Sequence, residues 1–124
     1  MRAAILRQNE ILIVSVQGSM TDADLVQMRE QLAKDVRRFR STGVVVDVTM
    51  LDVMDSFAVR TLRGIAQLVK MLGAECVVVG IQLDVAFSMV QLGLTLEGTV
   101  TALDLEDGLN ELRAREASET TRHE

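Results

Sequence analysis

Val44-Val45-Val46-Asp47-Val48-Thr49-Met50-Leu51-Asp52-Val53-Met54-Asp55-Ser56-Phe57-Ala58-Val59-Arg60 runs from a β-branched segment through a short break into a helix-starting pair. Gly43 introduces the valines, and only Asp47 interrupts them, which is the composition of a strand buried on both faces. From about Ser56 the period changes. Ala58, Leu62, Ile65, Ala66, Val69 and Leu72 share one side of a helix, and Arg60, Arg63, Gln67 and Lys70 the other. Gly73 then supplies a left-handed stop.

The same alternation extends in both directions. Upstream, Ala3 to Leu6 and Ile11 to Val16 flank Arg7-Gln8-Asn9-Glu10 and predict an N-terminal hairpin along one edge of the sheet. Thr21-Asp22-Ala23-Asp24 predicts a helix start, a hydroxyl cap followed by acids that favour the positive end of the helix dipole. Leu25, Met28, Leu32, Val36 and Phe39 give that helix its apolar stripe, with an end near Ser41-Thr42-Gly43. Downstream, Cys76 to Ile81 predicts a second buried strand, and Asp84 to Leu92 a short helix closed by Gly93. Val100 to Leu103 predicts a last strand, with Asp104 capping a final helix through Leu112.

Strands alternating with helices imply right-handed parallel crossovers, so the fold class is α/β. The expectation is a single domain with a mixed, mainly parallel sheet of about five strands, about four helices and an antiparallel N-terminal hairpin. The domain spans 1–113. From Ala114 the chain is polar without apolar periodicity, so 114–124 is expected to fray as a flexible tail.

Composition narrows the function classes. The 124 residues suit one domain, and 48% hydrophobic content supports a core without disulfide or metal. A net charge of -5, with 2% aromatic residues and neither Trp nor Tyr, argues against nucleic acid and acidic membranes as partners. The lone cysteine, Cys76, excludes an internal disulfide and favours a reducing, cytoplasmic setting. Arg7 interrupts the N-terminal apolar run too early for a secretory signal, and no stretch is long enough to span a bilayer.

Asp47, Asp55 and Ser56 carry a resemblance to a known family. A hydrophobic strand ending in Asp, a short loop, and Asp-Ser opening the next helix is similar to the pattern of STAS domains, the anti-sigma-factor antagonist fold. Leu72-Gly73-Ala74-Glu75-Cys76-Val77-Val78-Val79-Gly80-Ile81 and Val90-Gln91-Leu92-Gly93-Leu94 resemble two further blocks of that family. The likeness covers nearly the whole chain and is nearest to the RsbS-like scaffold antagonists of stressosomes. Leu83 departs from it, standing where many relatives carry proline.

The resemblance implies a non-enzymatic stress-signalling scaffold in which Ser56 is phosphorylated. The partner would be a serine/threonine kinase of the histidine-kinase-like ATPase fold, sequestered until Ser56 is modified. Paralogous STAS proteins would join it in a homo- or hetero-oligomer. A simpler antagonist that binds an anti-sigma kinase directly is the nearest alternative. Ser88, inside the third helix, corresponds to a second modified position in some relatives; without the family it reads as a solvent-facing helix serine.

The residues support these roles on physical grounds, with a plainer reading beside each. Ser56 at a helix mouth offers a hydroxyl next to free N–H groups that tolerate a phosphate, and equally serves as an ordinary N-cap. Asp55 also stabilises a helix dipole, Asp47 also ends a strand, and Asp52 adds charge near the switch. Phe57 and Val59 leave the apolar stripe, so with Arg60 they predict either a docking surface or packing under the preceding loop. Among the seven methionines, Met50 and Met54 read first as core filling and second as docking.

Enzyme readings fare worse. Asp47, Asp52 and Asp55 invite a magnesium-dependent phosphotransfer protein, but the only lysines, Lys34 and Lys70, fall on helices rather than after the last strand. His123, the single histidine, lies in the tail, leaving no catalytic dyad or histidine metal site. No glycine-rich phosphate loop is present. The expectation is a protein without catalytic residues, metal or cofactor.

Overall fold

The computed structural model describes residues 4–96 and 98–122. Its elements follow the order β1 (Ile5–Gln8), β2 (Ile11–Ser15), α1 (Asp22–Phe39), β3 (Gly43–Asp47), α2 (Ser56–Met71), β4 (Glu75–Val79), α3 (Leu83–Gln91), β5 (Val100–Ala102) and α4 (Leu105–Arg122). The five strands lie in sequence order, β1 antiparallel to β2 and the rest parallel. Ala3, expected to open the first strand, and His123 of the tail lie outside the described residues.

A strand order that never reverses, combined with right-handed crossovers, must place every crossover helix on one face. The core obeys this. Leu12, Val14, Val44, Val46, Cys76 and Val78 point toward the buried stripes of α1, α2 and α3. Their neighbours Ile11, Ile13, Val45, Val77 and Val79 point to the other face, where Leu112 of α4 joins them. Strict alternation along β2, β3 and β4 is the two-residue period of a sheet covered on both sides. Gly108 lets α4 approach, since a Cβ there would lie 2.6 Å from Val79 Cγ1.

The helix ends follow local chemistry. Thr21 and Asp24 form a reciprocal capping box, each side chain accepting the other's backbone N–H at 3.1 and 2.9 Å. α1 stops at Phe39, slightly earlier than expected, with Arg40 in the left-handed region at φ 51°. Gly73 carries φ +92° just past α2, in the conformation a helix-ending glycine supplies cheaply.

The last helix departs from expectation. It continues to Arg122 instead of ending at Leu112, so the polar residues from Ala114 to Arg122 are helical. Apolar periodicity measures burial, whereas Ala, Arg and Glu are good helix formers without it. An i,i+4 pair, Glu111 Oε1 to Arg115 Nε at 3.3 Å, bridges the expected boundary. Among the described residues no helix is long and apolar enough to cross a membrane.

Candidate functional site

Parallel pairing brings the strand ends into one row: Ser15 beside Asp47, Asp47 beside Val79, and Val79 beside Ala102. The loops leaving this row gather at one end of the sheet, where open α/β sheets place their sites.

Asp47 ends β3 and turns back on its own loop. Its Oδ1 accepts the Thr49 backbone N–H at 2.9 Å and the Thr49 hydroxyl at 2.5 Å. Gly80, the first residue after β4, sits against this turn with φ +79°, and a Cβ there would come within 2.0 Å of Thr49 Oγ1. Gln82, the residue before α3, makes no side-chain cap of that helix. Its amide instead reaches back about thirty residues, donating to the Thr49 carbonyl at 2.7 Å and to Asp52 Oδ1 at 3.2 Å.

Asp55 is the N-cap of α2, its Oδ1 accepting the Ala58 N–H at 2.8 Å. Ser56 is therefore the first helical residue and not the cap, which corrects the plainer reading of that serine. The cap carboxylate uses one of the free N–H groups, and the exposed Ser56 side chain remains clear of the helix-end bonding. Among the described residues its hydroxyl holds no hydrogen bond. Thus the three acids Asp47, Asp52 and Asp55 accept from different partners, Asp47 from Thr49 twice, Asp52 from Gln82 and Asp55 from Ala58. Among the described residues no three His, Cys, Asp or Glu side chains come together where they would hold a metal ion.

Two expected docking residues part company. Val59 is fully buried in the core under α2, so it has no surface to offer and is removed from the docking set. Helix geometry explains this: position 59 lies 100° from position 58 and one turn from Leu62, so the buried stripe is wide enough to include it. Phe57 is half-buried, packed against the core, and its carbonyl accepts the Thr61 hydroxyl at 2.8 Å. Arg60 is exposed on the outer side of α2.

The apolar groups that do face solvent near Ser56 were not singled out by periodicity. Met50 is 62% exposed and Val53 78%, whereas Met54 is buried. Leu83, Phe87 and Val90, spaced by four and three, form an exposed stripe along α3 opposite the buried Val85 and Met89. Ser88 is exposed on the same short helix. Cys76 is buried in β4, and burial, with a smaller contribution from neighbouring Glu75, pushes its thiol up to about 12.

Three comparisons with known proteins bear on this site. The family model described as the STAS domain matches residues 2–107. The RsbT co-antagonist protein RsbRA of Bacillus subtilis (strain 168) is 26% identical over 99 residues, 80% of this chain and 36% of that protein. The chain thus spans little more than a third of that curated relative. RsbS of Moorella thermoacetica, solved as a serine-to-glutamate variant, matches with TM-score 0.81 at 32% identity over 94% of this chain and 99% of its own. A chain from the stressosome, described as a signal integration and transduction hub, matches with TM-score 0.77 at 33% identity, covering 90% and 96%. The anti-sigma factor antagonist SpoIIAA in its unphosphorylated form shares the fold, with TM-score 0.70 at 15% identity over 90% and 96%.

Proposed function

Because this chain belongs to the STAS domain family, we propose that it is a scaffold of a stressosome-type signalling complex whose docking surface is gated by phosphorylation of Ser56. Unmodified, it holds a serine/threonine kinase of the histidine-kinase-like ATPase fold; modified, it lets the kinase go. Paralogous STAS proteins are its assembly partners, and the chain itself performs no chemistry. Similarity to RsbS and to a stressosome chain, each above 30% identity across nearly the full length, supports the scaffold part.

One observation carries the gate. Ser56 is exposed at the first position of α2, directly after its carboxylate cap Asp55 and the loop that exposes Met50 and Val53. A phosphate there adds about -1.5 to -2 charge at neutral pH. The positive end of the α2 dipole tolerates that charge, so the fold survives. A partner packed on the loop meets instead a dianion beside Asp52 and Asp55, and must leave it desolvated or move away. Weakening the contact by about 2 to 3 kcal/mol raises the dissociation constant roughly a hundredfold.

Incubation with the partner kinase and ATP, followed by peptide mapping, tests the assignment. Phosphate is expected on Ser56 and absent from a Ser56→Ala chain. A Ser56→Ala chain that is still fully modified refutes the site, and phosphate on Ser88 alone would transfer the gate to α3. Kinase retention by the unmodified chain and release by the phosphorylated one test the consequence.

A further inference from the structure

The outer side of α2 carries a positive charge that nothing in the chain answers. The helix holds Arg60, Arg63 and Lys70 and neither Asp nor Glu, alone among the described helices in having bases without an acid. Arg60 is exposed and Arg63 half-buried, and at three residues apart they are like-charged neighbours on the helix surface. Two carboxylates lie close by in the chain, yet each is turned elsewhere. Asp55 Oδ1 accepts the Ala58 N–H, and Asp52 Oδ1 accepts from Gln82. Among the described residues neither Arg60 nor Arg63 forms a side-chain hydrogen bond or an ion pair.

Helix geometry decides which anion Arg60 can meet. At about 100° per residue, Asp55 lies about 140° round the axis from Arg60, whereas Ser56 lies only about 40° round it and about 6 Å along it. Helical side chains lean toward the N-terminus, so the long arm of Arg60 covers the turn that opens with Ser56. Ser56 is exposed, and among the described residues its hydroxyl holds no hydrogen bond. An anion at position 56 ahead of a base at position 60 is also the favourable order for a helical ion pair.

We propose that Arg60 receives the phosphate of modified Ser56, a positioning residue whose guanidinium folds back one turn and holds the phosphoserine against α2. This deepens the phosphorylation reading and rests on it. A phosphoserine brings about -1.5 to -2 charge and three acceptor oxygens to a planar fork of N–H donors, a pairing that suits arginine better than lysine. Modification then changes the docking surface twice. It adds an anion, and it withdraws Arg60 into an intramolecular pair, so a partner that touched the free guanidinium loses that contact as well. Before modification Arg60 remains unpaired and available to the partner.

The full chain, made with phosphoserine introduced at position 56 during translation, tests the pairing without any kinase. In nitrogen-15 NMR the Arg60 Nε–H signal is expected to shift and to exchange more slowly with water when the phosphate is present, and the Arg63 signal to change less. In denaturant unfolding the phosphate is expected to raise the folding constant about three- to tenfold more in the parent than in Arg60→Gln, with Arg60→Lys between them. That difference should shrink at about 1 M salt, where charges interact over about 3 Å. An Arg60 signal indifferent to the phosphate overturns the proposal, whether or not the variants fold. An equal gain in all three chains overturns it as well and leaves the phosphate to the backbone N–H groups at the helix start. Because the phosphate is installed directly, these outcomes judge the pairing alone, and peptide mapping after kinase treatment judges the choice of serine.

Discussion

The side-chain amide of Gln82 donates to the backbone carbonyl of Thr49 across 2.7 Å, joining the start of α3 to the loop that leads into Ser56. The same nitrogen reaches Asp52 Oδ1 at 3.2 Å. A residue placed to cap its own helix bolts a different loop instead. Gln82→Leu removes both bonds, and because the acceptors are exposed, water can replace the donor. The expected cost is about 0.5 to 1.5 kcal/mol in denaturant unfolding, with faster amide exchange confined to the loop around Met50 to Met54. Gln82→Glu is expected to cost more than Leu, since a carboxylate would face the Thr49 carbonyl and Asp52. Equal exchange rates in all three chains would show that the bolt carries no load.

Gly80 is the other support of this loop. At φ +79°, and with a Cβ position 2.0 Å from Thr49 Oγ1, it has neither the backbone freedom nor the space for a side chain. Gly80→Ala is expected to destabilise by about 2 kcal/mol or more, combining left-handed strain with the displaced Thr49 turn. Adding Thr49→Ser leaves the oxygen in place and should restore little. Adding Thr49→Ala removes the clashing oxygen and should recover part of the loss, leaving the cost of φ. Thermal denaturation of the three variants separates the two contributions.

The sequence made the frame legible because burial writes itself as periodicity. Two-residue alternation and near-continuous valine placed β3 and β4, and spacings of three and four placed α1 and α2. Local caps were legible for the same reason: Thr21 with Asp24, and Asp104, whose carboxylate accepts the Asp107 N–H at 2.9 Å, act within one turn. Contacts made by long-range folding were not legible. No local pattern pairs Gln82 with Thr49, and the exposure of Met50 against the burial of Met54 depends on how the loop crosses the sheet end. The sequence left Val59 open between docking and packing because a single stripe was drawn through a helix that is covered on a wider arc. The helical residues beyond Leu112 were missed because exposed helix carries no apolar signature.

The α1 capping box makes a pH prediction. Accepting the Thr21 backbone N–H, its largest influence, lowers the Asp24 carboxyl below its ordinary value of 3.8. A carboxylate held below its unfolded pKa contributes stability that is complete above about 3.8 and disappears as the pH falls through the folded value. An NMR titration of the Asp24 side chain should have its midpoint below 3.8, with the Thr21 amide shift moving in step. A midpoint at or above 3.8 would mean that the box does not persist in solution.

Cys76 supplies a probe of intactness. With its thiol pushed up to about 12 by burial in β4, almost none is thiolate near neutrality, and thiolate is the species that alkylates. Iodoacetamide at mildly alkaline pH is expected to modify the native chain at least about a hundredfold more slowly than the unfolded chain. Labelling in increasing urea should then rise along the same transition as loss of helix signal. Labelling that precedes unfolding would mean that β4 opens locally while the rest of the sheet holds.

Asp55 and Ser56 adjoin in sequence but have opposite energetic roles, and paired substitutions should separate them. Asp55 is the cap, so Asp55→Ala strips the Ala58 N–H of its acceptor and is expected to cost about 0.5 to 2 kcal/mol of stability. Ser56 is exposed and its side chain carries no bond that holds α2, and a negative charge at the first helical position meets the positive end of the dipole. Ser56→Glu is therefore expected to leave stability unchanged or to raise it by about 0.3 to 1 kcal/mol. Its effect should appear in partner binding, measured by titration calorimetry, as a loss of roughly a hundredfold or less, since one carboxylate carries less charge than a phosphate. A Ser56→Glu chain that unfolds readily would move the serine into the structural frame. One that folds normally and binds the kinase as tightly as the parent would leave the charge gate without a mechanism.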